Sequence, residues 1–550
     1  MRMPQLCRLG VCACAVTLLC ASLHAQQKTE GPYRISGTVV NAATGEPLNR
    51  AGVSIVLSSD FSPVQSIQTG ADGRFAFDHL PAGKYALTGS RRGFITAAYD
   101  EHEHYSTAIV TGEGLISENL VLRLEPGAVI SGIVAEDSGD PVENARVTLY
   151  RQAHDSGVEK VRQAGSTTTD DIGAYEFTEL APGDYFISVS GRPWYADTGG
   201  GMIRSSATTN ASGDIPHSPL DLVYATTFYA DTTNPEDATP VPLKGGDRVQ
   251  INFSLHAQPA LHLLIRSPVS DDPRQMNMMP GAALEQEVFG TSDYVETNSH
   301  FIAPGLTEIS VAPGEYRLRL SGPGSQSTRM TTMNVSSDQS IDAGGGQQLA
   351  DVTGKIAMAS GEALPPNTAV ILSASDGQGG NGSIVSKDGN FGLANVQPGK
   401  YRLEVVGRGK RFFVAKLAAT GAQIENGRVT IGSSPVMIAA TVYPDPDLEV
   451  TGFAKKEGKP VPGAMIVLVP RDPANNRDLF RRDQSDSDGS FSLRDVIPGK
   501  YTVVAVENGW TLDWAEPSVI AHYLAGGEPV TVTEGAKTTT IQKPVEAQPK

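Results

Sequence analysis

The chain has 550 residues, a formal net charge of −17, 39% hydrophobic and 19% charged residues, and is rich in Gly (58) and Pro (36). That balance excludes a disordered chain and implies cored globular units, about three to five of them at this length. With no cluster of Lys and Arg, the acidity also excludes nucleic acid and an anionic membrane surface as expected partners.

Residues 1–25 read as a secretory signal peptide. Arg2 and Arg8 supply the positive start, Leu9 to Leu23 the apolar stretch, and Ala25 a small residue before a cut at Gln26. An uncleaved anchor is the alternative. Cys7, Cys12, Cys14 and Cys20 all lie in this stretch, so the exported chain is expected to have neither disulfide nor thiol chemistry. Leu19 before Cys20 is too large for a lipoprotein site, and Cys14 comes too early in the apolar run. No other stretch approaches the roughly 20 apolar residues of a membrane span. The expected location is periplasmic, outer-surface or extracellular.

Beyond the leader the sequence repeats itself. ADGRFAFDHLPAGKYAL (71–87) returns as DDIGAYEFTELAPGDYFI (170–187), KDGNFGLANVQPGKYRL (387–403) and SDGSFSLRDVIPGKYTV (487–503), with a worn copy ending in VAPGEYRLRL (311–320) that has Pro304 at the first Gly position. The spacing is constant: Gly73, Gly173, Gly389 and Gly489, then a second Gly ten positions on, then a Tyr two further. A repeat on this scale defines an array of similar units. Flanking runs such as Ile35–Val39 and Val53-Ile55-Leu57 alternate with the period of half-buried strands, separated by Gly/Pro turns. Within the motif, Gly73 suits a positive-φ turn, Phe75 and Phe77 share one strand face, and the segment reads as a hairpin that closes a core.

The expected units are 33–125, 126–257 with a Gly/Ser/Thr-rich flexible insertion at 195–217, a divergent 258–348 whose middle, including MNMMPG, fits poorly, 349–447, and 448–550. Short Pro-bearing linkers at Glu125-Pro126, Gln258-Pro259 and Tyr443-Pro444 predict modules in semi-rigid file. The fold class is all-β: a tandem array of about five antiparallel Ig-like or prealbumin-like β-sandwich modules.

The run carried by Gly132, Pro141, Ala145, Val147, Gly173, Tyr175, Phe177, Pro182, Gly183 and Tyr185, and equivalently in the first and fifth modules, resembles the carboxypeptidase regulatory-like family. The fourth module has Ala363 where the Pro stands, and the third keeps little beyond Pro313, Gly314 and Tyr316. The resemblance implies a transthyretin-like sandwich, related to Cna B-type and starch-binding-like modules. It further implies an accessory, scaffold or binding role in a multi-module secreted protein of the kind found in Gram-negative soil bacteria.

Catalytic motifs are missing from the sequence. It has no G-x-S-x-G elbow, no His followed by Glu at zinc-carboxypeptidase spacing, no P-loop and no dinucleotide fingerprint. Three weaker constellations remain. EHEH (101–104) would set His102 and His104 on one face of an extended segment where two imidazoles could share a metal, or form a polar loop or edge. DQSDSDG (483–489) resembles part of a calcium loop through Asp486, Asp488 and Gly489, or is plain turn chemistry, with Gln484 in the first ligand position and Asp495 in the twelfth. Trp194, Tyr195, Trp510 and Trp514 follow the return strands and either stack on sugar rings or pack against the sandwich end. No catalytic residue, metal ligand or cofactor is assigned. The expected function is a secreted non-enzymatic binding or scaffold protein whose partner is carbohydrate or another surface or secreted protein. The alternative is an enzyme or accessory subunit of a secreted hydrolase or transporter, with a site between modules.

Overall fold

The structure is a computed structural model that describes residues 31–550, apart from 155–156, 197–217, 267–280, 296, 304, 322–327, 343–346, 375–379, 408–409, 426, 445–447, 475 and 534–535. Residues 1–25, expected to be a signal peptide, with their four cysteines, the insertion from 197 onward, the MNMMP stretch before Gly281 and Pro304 thus lie outside the described residues.

In the first module, Tyr33–Asn41 is the middle strand of one sheet, antiparallel to Arg74–Leu80 and parallel to Leu120–Leu124. Facing it, Gly52–Leu57 lies between Pro63–Gln68 and Gly83–Ser90. The same plan recurs around Ala128–Glu136, Leu261–Arg266, Ala350–Met358 and Glu449–Lys456. Each of these opening strands also takes a parallel partner from the end of its own unit. The array is all-β, with antiparallel pairing plus this parallel return in each unit; in the fifth, Val545–Pro549 also runs parallel to Gly499–Glu507. Separate apolar cores fill the described sandwiches, from Ile35–Leu124 in the first to Leu448–Ala547 in the fifth.

The repeated motif is not a hairpin. Arg74–Leu80 pairs in one sheet and Gly83–Ser90 in the other, so LPAGK carries the chain across the core as an arch. In every other copy the two strands likewise pair with different partners rather than with each other. In the worn copy Leu306–Val311 and Gly314–Ser321 belong to different sheets, while in the fourth and fifth modules further pairings join the two layers into one continuous sheet. Phe75 and Phe77 therefore point inward from one sheet while Tyr85 and Leu87 meet them from the other, all four buried. Burial of each Phe stabilises the unit by about 1.5–3 kcal/mol.

One hydrogen bond fixes every arch. The Tyr hydroxyl donates to the backbone carbonyl four residues earlier: Tyr85 to Pro81 (3.0 Å), Tyr185 to Ala181 (2.8 Å), Tyr316 to Ala312 (2.9 Å), Tyr401 to Gln397 (2.8 Å) and Tyr501 to Ile497 (2.6 Å). This is the logic of a tyrosine corner, in which a buried phenol ties a crossing loop to its strand. At the other end of the motif Gly73 has φ 68°, as the turn requires, and a Cβ there would stand 2.7 Å from the Val39 carbonyl oxygen.

The semi-rigid file expected from the linkers folds back on itself. The fifth module returns to pack on the first through many polar contacts, and on the second, where Ala515 N–H donates to the Gly157 carbonyl (2.7 Å) and Val158 packs against the Trp514 cluster. Chain continuity holds neighbours together in sequence. Complementary surfaces, which linker composition does not encode, set this longer-range packing.

Candidate functional site

The first and fifth modules meet where two of the three sequence constellations lie. In the first module, residues 102–105 form a tight turn: His102 and Tyr105 exchange backbone hydrogen bonds of 2.8 and 3.2 Å, and Glu103 takes a left-handed φ of 62°. EHEH is therefore a turn and not an extended segment, because Glu101 folds back to accept the Ala98 N–H (2.6 Å). His102 stacks on Trp510 of the fifth module at 4.3 Å and 9°, whereas His104 is exposed.

Arg482 is the centre of the contact. It lies on the strand Arg481–Gln484, its side chain is wholly buried, and its guanidinium pairs with Glu103 of the first module. The same guanidinium sits 4.5 Å from the Tyr105 ring and 5.0 Å from the Trp510 ring, so one aromatic from each module brackets it. Two residues on along the strand, on the same face, Gln484 donates to the Thr107 hydroxyl (2.8 Å) and to the Asp100 carbonyl.

The DQSDSDG turn continues the clasp. Lys84 Nζ donates to Asp486 (2.6 Å) and to Ser490 (2.8 Å), the Ala108 N–H donates to Asp486 (3.2 Å), and the Ser487 N–H donates to the Ala108 carbonyl (2.9 Å). Asp488 keeps the turn role, accepting the Ser490 N–H (2.9 Å), just as Asp72 accepts that of Arg74 (3.2 Å). Burial pushes the Asp483 carboxyl up to about 6, and it raises Asp486 against the opposing pull of Lys84. Among the described residues, no group of three or more His, Cys, Asp or Glu is placed to hold a metal ion. Chemically the arrangement joins two modules.

The aromatics divide. Trp514 is buried in the apolar layer that the 508–526 segment lays over the outer face of Met465–Pro470, which explains why MIVLVP is buried on both faces. Trp510 is half-buried under His102 and Arg482. Trp194 differs: it is 81% exposed, with Tyr195 edge-on to it at 5.6 Å. The Tyr195 hydroxyl donates to Glu136 (2.9 Å), which also accepts from Tyr224. Two of the three tryptophans are thus taken up in packing, Trp514 on a sheet face and Trp510 in the contact with the first module, rather than at a sandwich end.

Sequence reasoning singled out His102, Asp486 and Trp510 but had no ground for joining them, and it missed Arg482, Tyr105 and Lys84. The one available sign was alternation: in RRDQ, Arg482 and Gln484 are the buried positions, and polar residues on the inward beat of a strand need partners.

Residues 34–110 and 129–199 match the carboxypeptidase regulatory-like domain, and 449–523 match the second β-sandwich domain of BOS complex subunit NOMO1-like proteins. The first and second modules are therefore of the resembled type, while the fifth matches a different sandwich description. Colossin-A of Dictyostelium discoideum is 28% identical over 148 residues, which is 26% of this chain and 1% of that protein. The chain thus spans only a small fraction of the curated relative it matches. Among solved structures, a Streptococcal ancillary pilin is 14% identical and aligns over 56% of this chain and 98% of its own, with a TM-score of 0.19. The Bacillus anthracis TIE protein is 10% identical over 74% and 73%, with a TM-score of 0.17. Shaft pilin SpaA from Lactobacillus rhamnosus GG is 10% identical over 41% and 97%, with a TM-score of 0.19.

Proposed function

We propose that the chain is an exported, non-enzymatic scaffold of β-sandwich modules, held closed between its first and fifth units, that presents a carbohydrate-binding aromatic on its second. One observation supports this above the others: the side chains with metal-binding or catalytic potential, His102, Glu103, Asp486 and Asp488, are engaged in module contacts and turn bonds. No described helix is long and apolar enough to cross a membrane. Trp194 is the stacking surface for a sugar ring, since the Glu136 carboxylate holds its neighbour Tyr195 in place.

A glycan array probed with the exported chain tests this reading. Binding that Trp194→Ala weakens and Trp510→Ala leaves unchanged supports the site; no glycan binding at all removes the carbohydrate assignment and leaves the scaffold. The enzyme reading has one observation in its favour, an open cleft of about 740 Å³ between the second and third modules, lined by Thr226, Asn234, Glu236, Gln286, Glu287 and Arg317. Turnover on peptide, ester or glycoside panels that Glu287→Gln abolishes would establish that reading instead.

A further inference from the structure

The second and third modules meet on a face that is polar and yet buried. Along Leu261–Arg266, Leu263 and Ile265 point into the third module's own core, so His262 points the other way, toward the second module. Its register partner on Leu306–Val311 is Ser310, and Glu308 follows on the same face. All three are nearly sealed from solvent, His262 at 7% exposure, and the segment 218–221 leading into Leu222–Tyr224 reaches His262 and Ser310. That segment brings Asp221, whose own carbonyl accepts the Ala260 N–H (2.9 Å).

His262 has a carboxylate at each ring nitrogen: Asp221 Oδ2 is 3.0 Å from Nε2 and Asp338 Oδ1 is 3.3 Å from Nδ1. The His262 backbone N–H also donates to Asp338 (2.9 Å), which fixes that carboxylate beside the ring. A neutral imidazole carries one N–H and one lone pair. Only the doubly protonated ring can donate both bonds, and the neutral ring turns a lone pair on a carboxylate oxygen whichever tautomer it adopts.

We propose that His262 is a proton-operated lock between the second and third modules: charged, it bridges Asp221 of one to Asp338 of the other, and neutral, it leaves Asp221, Glu308 and Asp338 gathered with no positive charge from the ring among them. The direction of its titration agrees. Burial lowers the imidazole's proton affinity, but the bond to Asp221 and the charges of Glu308, Asp338 and Asp221 outweigh it, and the net effect is upward from the ordinary histidine range. A histidine raised in the folded state contributes its full stability below about pH 6.5 and loses it as pH climbs through the folded value. The lock therefore tightens in mild acid and loosens toward alkaline pH.

Hydrogen–deuterium exchange of the whole chain from pH 6 to 9, corrected for intrinsic rates, tests this on peptides spanning 221–224 and 257–263. Protection of these peptides should fall with rising pH, about tenfold for each unit by which the junction raises the imidazole above its free value. Protection of the third module's core at 316–320 should stay flat. His262→Gln should give low, pH-independent protection at the junction; a variant with the wild-type pH profile overturns the proposal. Should that variant fail to fold, Asp338→Asn serves, because losing one carboxylate should move the wild-type midpoint to lower pH. A midpoint that does not move overturns the proposal as well.

Discussion

The same turn appears in the second and fifth modules with opposite uses for one carboxylate. Asp170 stands three residues before Gly173 and accepts the N–H groups of Ile172 (3.1 Å) and Ala174 (2.7 Å), so it serves only its own turn. Asp486 stands three residues before Gly489, and there the turn is capped by Asp488 instead. Asp486 is released to take Lys84 and the Ala108 N–H of the first module. One additional acceptor in the turn converts a closed local motif into a docking surface. The neighbouring position is common ground: Thr69, Thr169 and Ser485 each donate to a carbonyl of the facing loop, at 2.6, 2.6 and 2.7 Å. Inward positions stay apolar while changing identity, as Phe77, Phe177 and Leu493 do, whereas the outward carboxylate changes its partner.

The strongest way to break this contrast is to remove the shared part. Phe77→Ala should cost about 3–5 kcal/mol in a denaturant titration, since the arch around it cannot collapse far, and the first module should lose its fold together with its dock. Next in size is Arg482→Ala, which strips the guanidinium from Glu103 and both rings. It should cost about 1.5–3 kcal/mol, the range of a charged hydrogen bond. Small-angle scattering should then show a larger radius of gyration while the circular dichroism of the sandwiches persists. An unchanged radius would mean that the junction does not depend on this residue. Smaller again is the loss of one arch hydroxyl. Tyr185→Phe and Tyr501→Phe should each cost about 1 kcal/mol in thermal melts, alike in both modules. A loss confined to one of them would show that the arches are not equivalent.

The smallest effect is a pH slope. Asp483 is held above its ordinary carboxylate range, so its contribution to stability is full below about pH 4 and is lost as pH rises through about 6. Thermal melts should show the fifth module gaining stability between pH 7 and pH 5, and Asp483→Asn should flatten that gain while keeping the Ser492 N–H bond.

Much of the fold was legible because it is written in repeated positions: a turn Gly, an inward aromatic followed two residues on by a second inward apolar side chain, and a Tyr at fixed spacing. The arch was misread as a hairpin because two alternating runs around a short turn look alike whether they pair with each other or with separate strands. Only the pairing partners, Tyr33–Asn41 and Gly52–Leu57, distinguish the two. The junction was less legible still. EHEH and DQSDSDG were noticed as polar clusters, but their meaning depends on an encounter across nearly the whole chain, which local spacing does not encode. Trp194 could not be separated from Trp510 and Trp514, since exposure depends on what the ring meets in the fold: the 508–526 segment carries Trp514 onto Met465–Pro470 and Trp510 against His102 and Arg482, while Trp194 is left exposed.

The Arg482 clasp also sets how the protein answers tension. A pull between the first and fifth modules has three routes: directly across the clasp, by way of the second module where the fifth touches it at Gly157 and Val158, and along the chain through the second, third and fourth sandwiches. The direct route is shorter and stiffer, so it takes the load first. Once it and the contact of the fifth module on the second at Gly157 and Val158 have both yielded, the intervening modules become slack that pays out while every core stays folded. The contact that compacts the protein at rest is thus its safety catch under force, releasing length before any sandwich has to unravel.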